Sequence, residues 1–520
     1  MEKHHRILKS AGTISLATSL SRIFGYVRDA ALASVLGASL SMDAFAVAYR
    51  LANLFRRLVG EGGMSAAFVP VFVQYREEHS QKELWEFARK FFYTLALVIG
   101  VIVAFEIAFA PFIVRLMAPG FLGTPEKFKL TVDLTRLMAP YLIFVSLTAF
   151  SMGILNSFGY FAVPALGPIF FNVAVICAAL ISPYFMAEPV MGIAFGVLIG
   201  GVLQFACQIP LSVKQGMRFQ FGISFHHEAI RRVGALLGPS VFGIGILQIN
   251  LLVDSLMASF LREGTVSQIY YADRVMELVL GIFVISLTTV LLPDMAKSAA
   301  RKDINEVKKT LLFSFRVTSF VAIPATVGLF VLADPIIHVL FERGRFLSID
   351  TERTAVALAY YAFGLYFISA SKLIVSAFYA LQDSKTPVKV AFVALIANVV
   401  LNFILMHPLK QGGIALATSL ASALSCVQLL YIFQKRYGAF EWQKFVKGSI
   451  KIAIASTVMG IFCPAALHAF HFQTDKPLAW KAAVLFGTIG LGVLIYFGVA
   501  LLLRMEELDF FKKFRLRKAA

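Results

Sequence analysis

The sequence predicts an all-α, polytopic membrane protein of about fourteen transmembrane helices, arranged as two six-helix parallel repeats plus an extra C-terminal helix pair. The composition, the length of the apolar runs and an internal repeat predict this fold. Hydrophobic residues make up 59% of the 520-residue chain and charged residues 15%, whereas a soluble domain has roughly 45 to 50% and about 25%. The composition therefore excludes a water-soluble enzyme.

The apolar runs give the helices in chain order, since about 20 apolar residues cross the hydrocarbon core of a bilayer. The first run follows the basic segment MEKHHRILKS, contains Arg22 and Arg28 and has no cleavage pattern. We therefore interpret it as a retained helix rather than a signal peptide. The predicted helices span 11–35, 43–74, 91–114, 132–155, 164–182, 190–213, 233–259, 268–296, 317–341, 354–380, 390–406, 414–434, 452–469 and 482–503.

Lysine and arginine are distributed unevenly between the two sides of this bundle. Of the 48 basic residues, 30 lie at the termini and in even-numbered connections, and 10 lie in odd-numbered connections. Because basic connections are retained in the cytoplasm, the bias predicts that both termini lie inside the cell. The net charge of +18 then reflects connections that face anionic lipid head groups. No basic stripe interleaved with aromatic residues occurs, so we expect no nucleic-acid partner.

The chain contains a weak internal repeat with an offset of about 223 residues. GIAFG at 192–196 recurs as GIALA at 413–417, and the helix-ending Pro70 recurs as Pro293. Six helices return the chain to the same side of the membrane, so the halves are parallel repeats, as in many transporters. The predicted domains are an N-lobe at 1–215, a C-lobe at 216–436, and helices 13 and 14 with a basic cytoplasmic tail at 437–520.

Eight basic residues lie inside predicted helices, where a charge at the centre costs about 2.5 to 3.5 kcal/mol. On helix 2, Asp43, Arg50 and Arg57 recur every seven residues and share one face. On helix 8, Arg274 and Glu277 are one turn apart. We expect these polar faces to converge on one hydrated cavity between the lobes. The eight residues are Arg22, Arg28, Arg50, Arg56, Arg57, Arg136, Arg274 and Lys372.

Two interpretations of these charges are open. In the first, the charges pair with one another and hold the helices together. In the second, the cations outnumber their acidic neighbours and bind an anionic ligand. Arginine is planar, permanently charged and able to donate to two oxygens at once, which suits phosphate better than an organic cation.

A second group of polar residues could bind a small cation. Asp254 on helix 7, Asn398 and Asn402 on helix 11 and Thr418 on helix 12 carry the oxygen ligands that suit Na⁺. Hydrogen bonds between buried amides and hydroxyls are the alternative. The four cysteines lack the spacings of metal or redox sites, so we expect packing roles and no cofactor other than Na⁺.

Four segments of the chain resemble the MurJ (MviN) family, the lipid II flippases of bacterial peptidoglycan synthesis. This family belongs to the multidrug/oligosaccharidyl-lipid/polysaccharide (MOP) exporter superfamily. The resemblance runs through essentially the whole chain. Its segments are SRIFGYVRDA at 21–30, MDAFAVAYRLANLFRRLVGEGGMSAAFVPVF at 42–72, YYADRVMELVLG at 270–281 and QDSKTPVKVA at 382–391.

The resemblance implies a set of substrate-binding residues. The essential arginines of the family's central cavity match Arg22, Arg28, Arg56 and Arg274, and its important acidic positions match Asp43 and Glu277, with Ser21 and Glu61 beside them. The proposed Na⁺ site of some members falls on Asp254, Asn398, Asn402, Thr418 and the backbone carbonyl of Ile414. Asn402 stands where some members have an acid.

The resemblance also implies the activity. The protein would move lipid II from the inner to the outer leaflet of the bacterial cytoplasmic membrane by alternating access. Its arginines would bind the pyrophosphate, and no covalent bond would be made or broken. We expect a monomer among membrane lipids, with the peptidoglycan synthesis machinery as a further partner.

Other functions fit some of the same features. A flippase for another undecaprenyl-pyrophosphate-linked oligosaccharide would meet the same phosphate chemistry. An antiporter of the multidrug and toxin extrusion (MATE) type would need an acidic cavity for cationic drugs. A membrane glycosyltransferase would need a sizeable external loop with catalytic acids, and a scaffold gives no reason to bury arginines.

Overall fold

The structure, a computed structural model, describes residues 2–58 and 64–508 and is helical throughout, with no strand in these ranges. The helices are α1 (Glu2–Leu36), α2 (Leu40–Phe55), α3 (Met64–Glu78), α4 (Gln81–Ala108), α5 (Ala110–Met117), α6 (Pro125–Met138), α7 (Tyr141–Ser157), α8 (Ala162–Phe185), α9 (Pro189–Ala206), α10 (Ile209–Lys214), α11 (Glu228–Ser259), α12 (Thr265–Ala300), α13 (Ile304–Val331), α14 (Ala333–Phe341), α15 (Ser348–Ala380), α16 (Lys385–Leu409), α17 (Gln411–Tyr437), α18 (Trp442–Ala469) and α19 (Leu478–Leu502).

Ten helical stretches within the described residues are long and apolar enough to cross a membrane. The other predicted spans correspond to α1, α2 with α3, α11 and α12, which carry or adjoin six of the eight in-helix basic residues. The all-α, polytopic fold predicted from the sequence is confirmed. The ten stretches are α4, α6 with α7, α8, α9 with α10, α13, α15, α16, α17, α18 and α19.

Some helix ends differ from the predicted runs because polar caps, rather than the end of hydrophobicity, set them. The run predicted at 317–341 is part of α13, which already begins at Ile304, and α14. Asp303 caps α13 by accepting a hydrogen bond from the backbone N–H of Glu306 at 3.0 Å. The helix therefore starts inside a basic connection that the sequence suggested was non-helical.

The chain divides into two compact units. The first contains Met1–Ser267 with Arg343–Phe346, and the second contains Gln268–Glu342 with Leu347–Ala520. The lobe boundaries derived from the repeat stay a prediction, and the basic tail from residue 509 onward lies outside the described residues.

The first unit is packed around aromatic rings and includes one close backbone crossing. The Phe68 ring centroid lies 4.9 Å from that of Phe91 and 5.0 Å from that of Phe150, which joins α3, α4 and α7. At the end of α1, Gly37 has φ +65°, and a Cβ there would lie 2.4 Å from the carbonyl oxygen of Arg345. Only glycine fits this crossing.

The second unit has its own apolar core between α13, α15 and α17. Phe315, Phe378, Phe433 and Phe440 are all buried there, and the Phe433 and Phe440 rings stack with centroids 5.5 Å apart. Each unit therefore has a rigid interior that can hold a charged side chain in a defined position.

Candidate functional site

The most constrained arginine of the first unit is Arg28 on α1, which is 9% exposed. Its Nε and Nη2 both donate to Oδ1 of Asp29, at 3.0 and 2.7 Å. Its Nη1 donates to Oδ1 of Asn172 on α8 at 3.1 Å and to the hydroxyl of Tyr49 on α2 at 3.4 Å. The guanidinium is thus paired with a carboxylate and held by two neighbouring helices.

Asn172 is a site residue that the sequence analysis missed. Its Oδ1 accepts from Arg28, and its Nδ2 donates to the backbone carbonyl of Ser21 at 3.2 Å. One buried amide therefore fixes both the side chain of Arg28 and the backbone of α1 about two turns earlier. The signal in the sequence was a single asparagine inside the apolar run PIFFNVAV.

Arg22 lies on α1 between these two anchor points and is half-buried. Unlike Arg28, it makes no hydrogen bond or ion pair within the part of the chain that the structure describes. Arg22 is therefore a guanidinium with its donors available to a ligand.

Arg50 on α2 and Arg57 just beyond its end contact polar side chains of α11. Arg50 donates through Nη1 to the hydroxyl of Ser255, and Nη1 of Arg57 donates to Oε1 of Gln248 at 3.3 Å. Two of the three residues on the face that the seven-residue spacing predicted, Arg50 and Arg57, thus contact the same helix.

Arg56 lies just beyond α2, where the helix widens into a π turn over residues 56–58. Its Nε donates to Oδ1 of Asn53 at 2.7 Å. Glu61, predicted beside it, lies outside the described residues.

Asp43 has contacts of a different kind from the other predicted substrate-binding residues, because it is fully buried. Its Oδ2 accepts from Nζ of Lys127 at 2.6 Å and from the backbone N–H of Gly264 at 2.8 Å. Its Oδ1 accepts from the backbone N–H and hydroxyl of Ser267, at 2.8 and 2.5 Å. Asp43 therefore joins the N-terminus of α2 to the start of α12. Its contact with substrate stays a prediction.

Lys127 on α6 was also missed, since its partner is 84 residues away in sequence. Its side chain is only 7% exposed, and its Nζ lies 4.2 Å from the centroid of the Phe121 ring. The carboxylate and the aromatic ring compensate the cost of burying this side chain.

The second unit contributes Arg274 and Glu277 on α12. Nη1 of Arg274 donates to Oε2 of Glu277 at 2.8 Å, as the one-turn spacing indicated, and its guanidinium lies 4.9 Å from the Tyr270 ring centroid. The two charged side chains are 23% and 33% exposed. This pair is therefore more accessible than Arg28 and Asp29, whose side chains are 11% and 6% exposed.

The residues predicted to bind Na⁺ divide between the units. Asp254 is buried in the first unit. In the second unit, Nδ2 of Asn402 donates to Oδ1 of Asn398 at 2.9 Å, and Nδ2 of Asn398 donates to Oγ1 of Thr418 at 3.1 Å, with Ile414 buried on the same helix as Thr418. These groups have the oxygen chemistry that Na⁺ requires, and they already bond to one another. Na⁺ binding stays a prediction.

A multi-pass helical bundle with arginines inside its least apolar helices is typical of a membrane transporter. A family model described as "Lipid II flippase MurJ" matches residues 32–477. A probable lipid II flippase MurJ from Vibrio cholerae serotype O1 is 34% identical over 520 residues, covering 97% of each chain. The chain therefore belongs to the MurJ lipid II flippase family.

Solved structures agree with this assignment. A structure titled "Lipid II flippase MurJ, inward closed conformation" is 29% identical and superposes with a TM-score of 0.79, covering 94% of this chain and 98% of that one. An inward-facing MATE family transporter of the MOP superfamily is 14% identical, with a TM-score of 0.70 over 83% of this chain and 99% of that one. The MATE match shows a common fold, and the resemblance noted in the sequence is confirmed.

Proposed function

We propose that this protein translocates lipid II from the inner to the outer leaflet of the bacterial cytoplasmic membrane by alternating access. Family membership supports this activity. One observation supports the chemistry. Within the described residues, Arg22 has no carboxylate partner, although it lies on the same helix as the paired Arg28. A guanidinium inside a membrane bundle is stabilised by an anion, and a pyrophosphate supplies oxygens for bidentate bonds.

The substrate explains why several arginines are needed. The head group of lipid II carries a pyrophosphate and a disaccharide-pentapeptide, and it cannot cross about 30 Å of hydrocarbon unaided. Arg22, Arg28, Arg56 and Arg274 would bind the pyrophosphate, while the prenyl chain stays in lipid or along α18 and α19. No covalent bond changes, so we infer that the protein is not an enzyme.

Release requires that the arginines not hold the phosphate permanently. Asp29 forms an ion pair with Arg28, and Glu277 forms one with Arg274. Each carboxylate can therefore compete with the phosphate for its guanidinium. We propose that phosphate displaces these acids on binding and that the acids return on release. The free-energy difference between the phosphate-bound arginines and the acid-paired arginines is then small enough for repeated transport cycles.

The orientation follows from the distribution of basic residues. We propose that both termini are cytoplasmic, because 30 of the 48 lysines and arginines fall at the termini and in even-numbered connections. We also propose that the protein acts as a monomer.

The activity is tested by expressing the chain in cells depleted of their own lipid II flippase and measuring lipid II accessibility in each leaflet. We expect the full chain to restore outer-leaflet lipid II, and Arg22→Ala or Arg28→Ala to abolish this with normal membrane insertion. Arg136→Ala is the matched control, because Arg136 is exposed and bonds only to the carbonyl oxygen of Ile107 among the described residues. Full activity of both variants would refute the proposed arginine site, and failure of the parent chain would refute the substrate.

A further inference from the structure

The connection between α10 and α11 has an alternating sequence that the transport function does not use. From Met217 to His226 it reads MRFQFGISFH, with apolar residues at the odd positions and polar residues or glycine at the even ones. Such a period of two is typical of a strand with one apolar face. In the structure, however, residues 217–224 are neither helical nor part of a sheet.

The apolar residues of this segment are exposed rather than buried. Phe219 is 39% exposed, Phe221 78%, Ile223 37% and Phe225 53%. Four exposed apolar side chains thus lie at alternate positions of one short segment, and exposed apolar patches mark sites of interaction. The first odd residue, Met217, is buried and fixes the start of the segment.

A close contact at Gly216, just before the segment, places the start of the segment against α4. Gly216 has φ +114°, and a Cβ there would lie 2.7 Å from Nε1 of Trp85 on α4. Further along, Nη1 of Arg89 donates to Oε1 of Gln220 at 2.6 Å. The segment is thus a fixed part of the first unit.

Contacts one turn further along α4 hold the rest of the segment. The hydroxyl of Thr94 exchanges hydrogen bonds with the backbone N–H and C=O of Ser224, at 3.2 and 3.3 Å. The Tyr93 and Phe221 rings lie with centroids 5.2 Å apart. The segment therefore lies beside residues 89–94 of α4.

Those residues of α4 mark the transition from charged to apolar sequence. The helix begins QKELWEFARK at 81–90 and continues FFYTLALVIGVIVAFEIA at 91–108. Charged residues near the end of a membrane helix lie in the head-group region, and the apolar run lies in hydrocarbon. The exposed aromatic residues are therefore at the depth of the membrane interface.

Basic residues lie within and on both sides of this segment in the chain. Lys214, Arg218, Arg231 and Arg232 are exposed, and Glu228 is the one acidic residue between 214 and 232. A cluster of cations beside interfacial aromatic residues is the arrangement that binds anionic phospholipid head groups.

We propose that residues 217–226 are a membrane-interface anchor that binds anionic phospholipid. Phe221 and Phe225 insert between the head groups and the acyl chains, while Arg218, Arg231 and Arg232 bind lipid phosphates. The inference depends on the proposed function only through the proposed topology, which places this lipid in the cytoplasmic leaflet. A strand of a partner protein is the competing occupant, but a position at lipid depth and the surplus of positive charge favour the bilayer.

The depth of the segment can be measured by tryptophan fluorescence. Phe221→Trp and Phe225→Trp are compared with His226→Trp, a neighbour at an even position, in phosphatidylcholine vesicles. The chain already contains three tryptophans, so the emission of the unsubstituted protein is subtracted from that of each variant. We expect brominated lipid to quench the first two variants at least twofold more than His226→Trp, and aqueous iodide to do the reverse.

Either of two other results would overturn the anchor. If iodide quenches all three variants equally, the segment lies in water. If neither quencher reaches the first two variants, protein covers the patch. Lipid II takes no part in this measurement, so its outcome is independent of the proposed transport function.

The preference for anionic lipid needs a second measurement. We expect phosphatidylglycerol added to phosphatidylcholine to raise the Tm of the full chain, and the double variant Arg231→Gln/Arg232→Gln to lose most of that rise. Lys308→Gln/Lys309→Gln, on the predicted cytoplasmic end of α13, is the matched control. Equal losses in the two double variants would mean a general charge effect and would overturn the specific lipid site.

Discussion

The two units hold their candidate phosphate-binding arginines in different ways. In the first unit, Arg28 is tied to Asp29 on its own helix and to Asn172 and Tyr49 on two other helices. In the second, Arg274 contacts Glu277 and Tyr270 of its own helix and is about twice as exposed. From the exposure of the two side chains we propose a division of roles, in which Arg28 is held in a fixed position and Arg274 is the more accessible to the ligand.

The largest expected effect concerns the ion pair between Asp43 and Lys127 in the first unit. Asp43→Ala leaves a buried lysine uncompensated and removes two backbone bonds at the start of α12, so we expect a loss of about 3 to 5 kcal/mol in the free energy of unfolding. Denaturation in mild detergent measures it. Asp133→Ala, a half-buried acid on the same helix as Lys127, is the control. A loss below about 1 kcal/mol, the value of an exposed pair, would show that Asp43 does not hold the first unit together.

Substituting each of Arg28 and Arg274 with lysine tests whether the two arginines have different roles. Lysine keeps the charge but lacks the planar fork that bonds Asp29, Asn172 and Tyr49 together. We expect Arg28→Lys to lower lipid II translocation about 100-fold, as for the loss of two charged hydrogen bonds, and Arg274→Lys about 10-fold or less. Translocation rates in proteoliposomes test this. Equal losses at the two sites would break the proposed division of roles.

Asn172 tests whether the fixed position of Arg28 matters for transport. Asn172→Ala removes the hydrogen bond to Nη1 of Arg28 and the hydrogen bond to the carbonyl of Ser21. We expect the rate of translocation to fall about 10-fold, which corresponds to a loss of about 1.4 kcal/mol of interaction free energy. Asn156→Ala on α7 is the matched control. A purely structural role would lower the Tm in proportion to activity, whereas a positioning role lowers activity while the Tm changes little. Wild-type activity of Asn172→Ala would remove Asn172 from the site.

The smallest expected effect lies away from both sites, in the connection between α15 and α16. Burial acts to raise the pKa of Asp383, but hydrogen bonds from Thr386 and Arg436 outweigh it and hold the pKa below its usual value. The ionised form is therefore the stabilising one. Its contribution is present at neutral pH and is lost as the pH falls below about 4 through the folded pKa.

We expect Asp383→Asn to lower the free energy of unfolding at pH 7 by about 1 kcal/mol or less, because Arg436 is half exposed. The difference from the parent chain should shrink toward pH 3. Thermal unfolding at the two pH values measures this. A difference that grows in acid would mean that the protonated form is the stabilising one.

Spacing along one helix predicted only some of the contacts in the site. It gave the pair of Arg274 and Glu277, because residues three apart on a helix lie one above the other. It did not give the bond between Arg28 and Asp29, because adjacent residues point about 100° apart. Arg28 reaches its neighbour only because its side chain is long enough to bend back around the helix.

The sequence by itself determined the membrane class, the all-helical fold, the positions of the charged helices and the presence of surplus arginine. These features follow from composition and periodicity, because hydrocarbon excludes unpaired backbone groups and charges wherever they occur. Only the tertiary structure decided that Asn172 orients Arg28, that Lys127 neutralises Asp43 and that Asn398, Asn402 and Thr418 bond to one another. Such contacts depend on which helices pack together and at what register, and no local pattern in the chain encodes either.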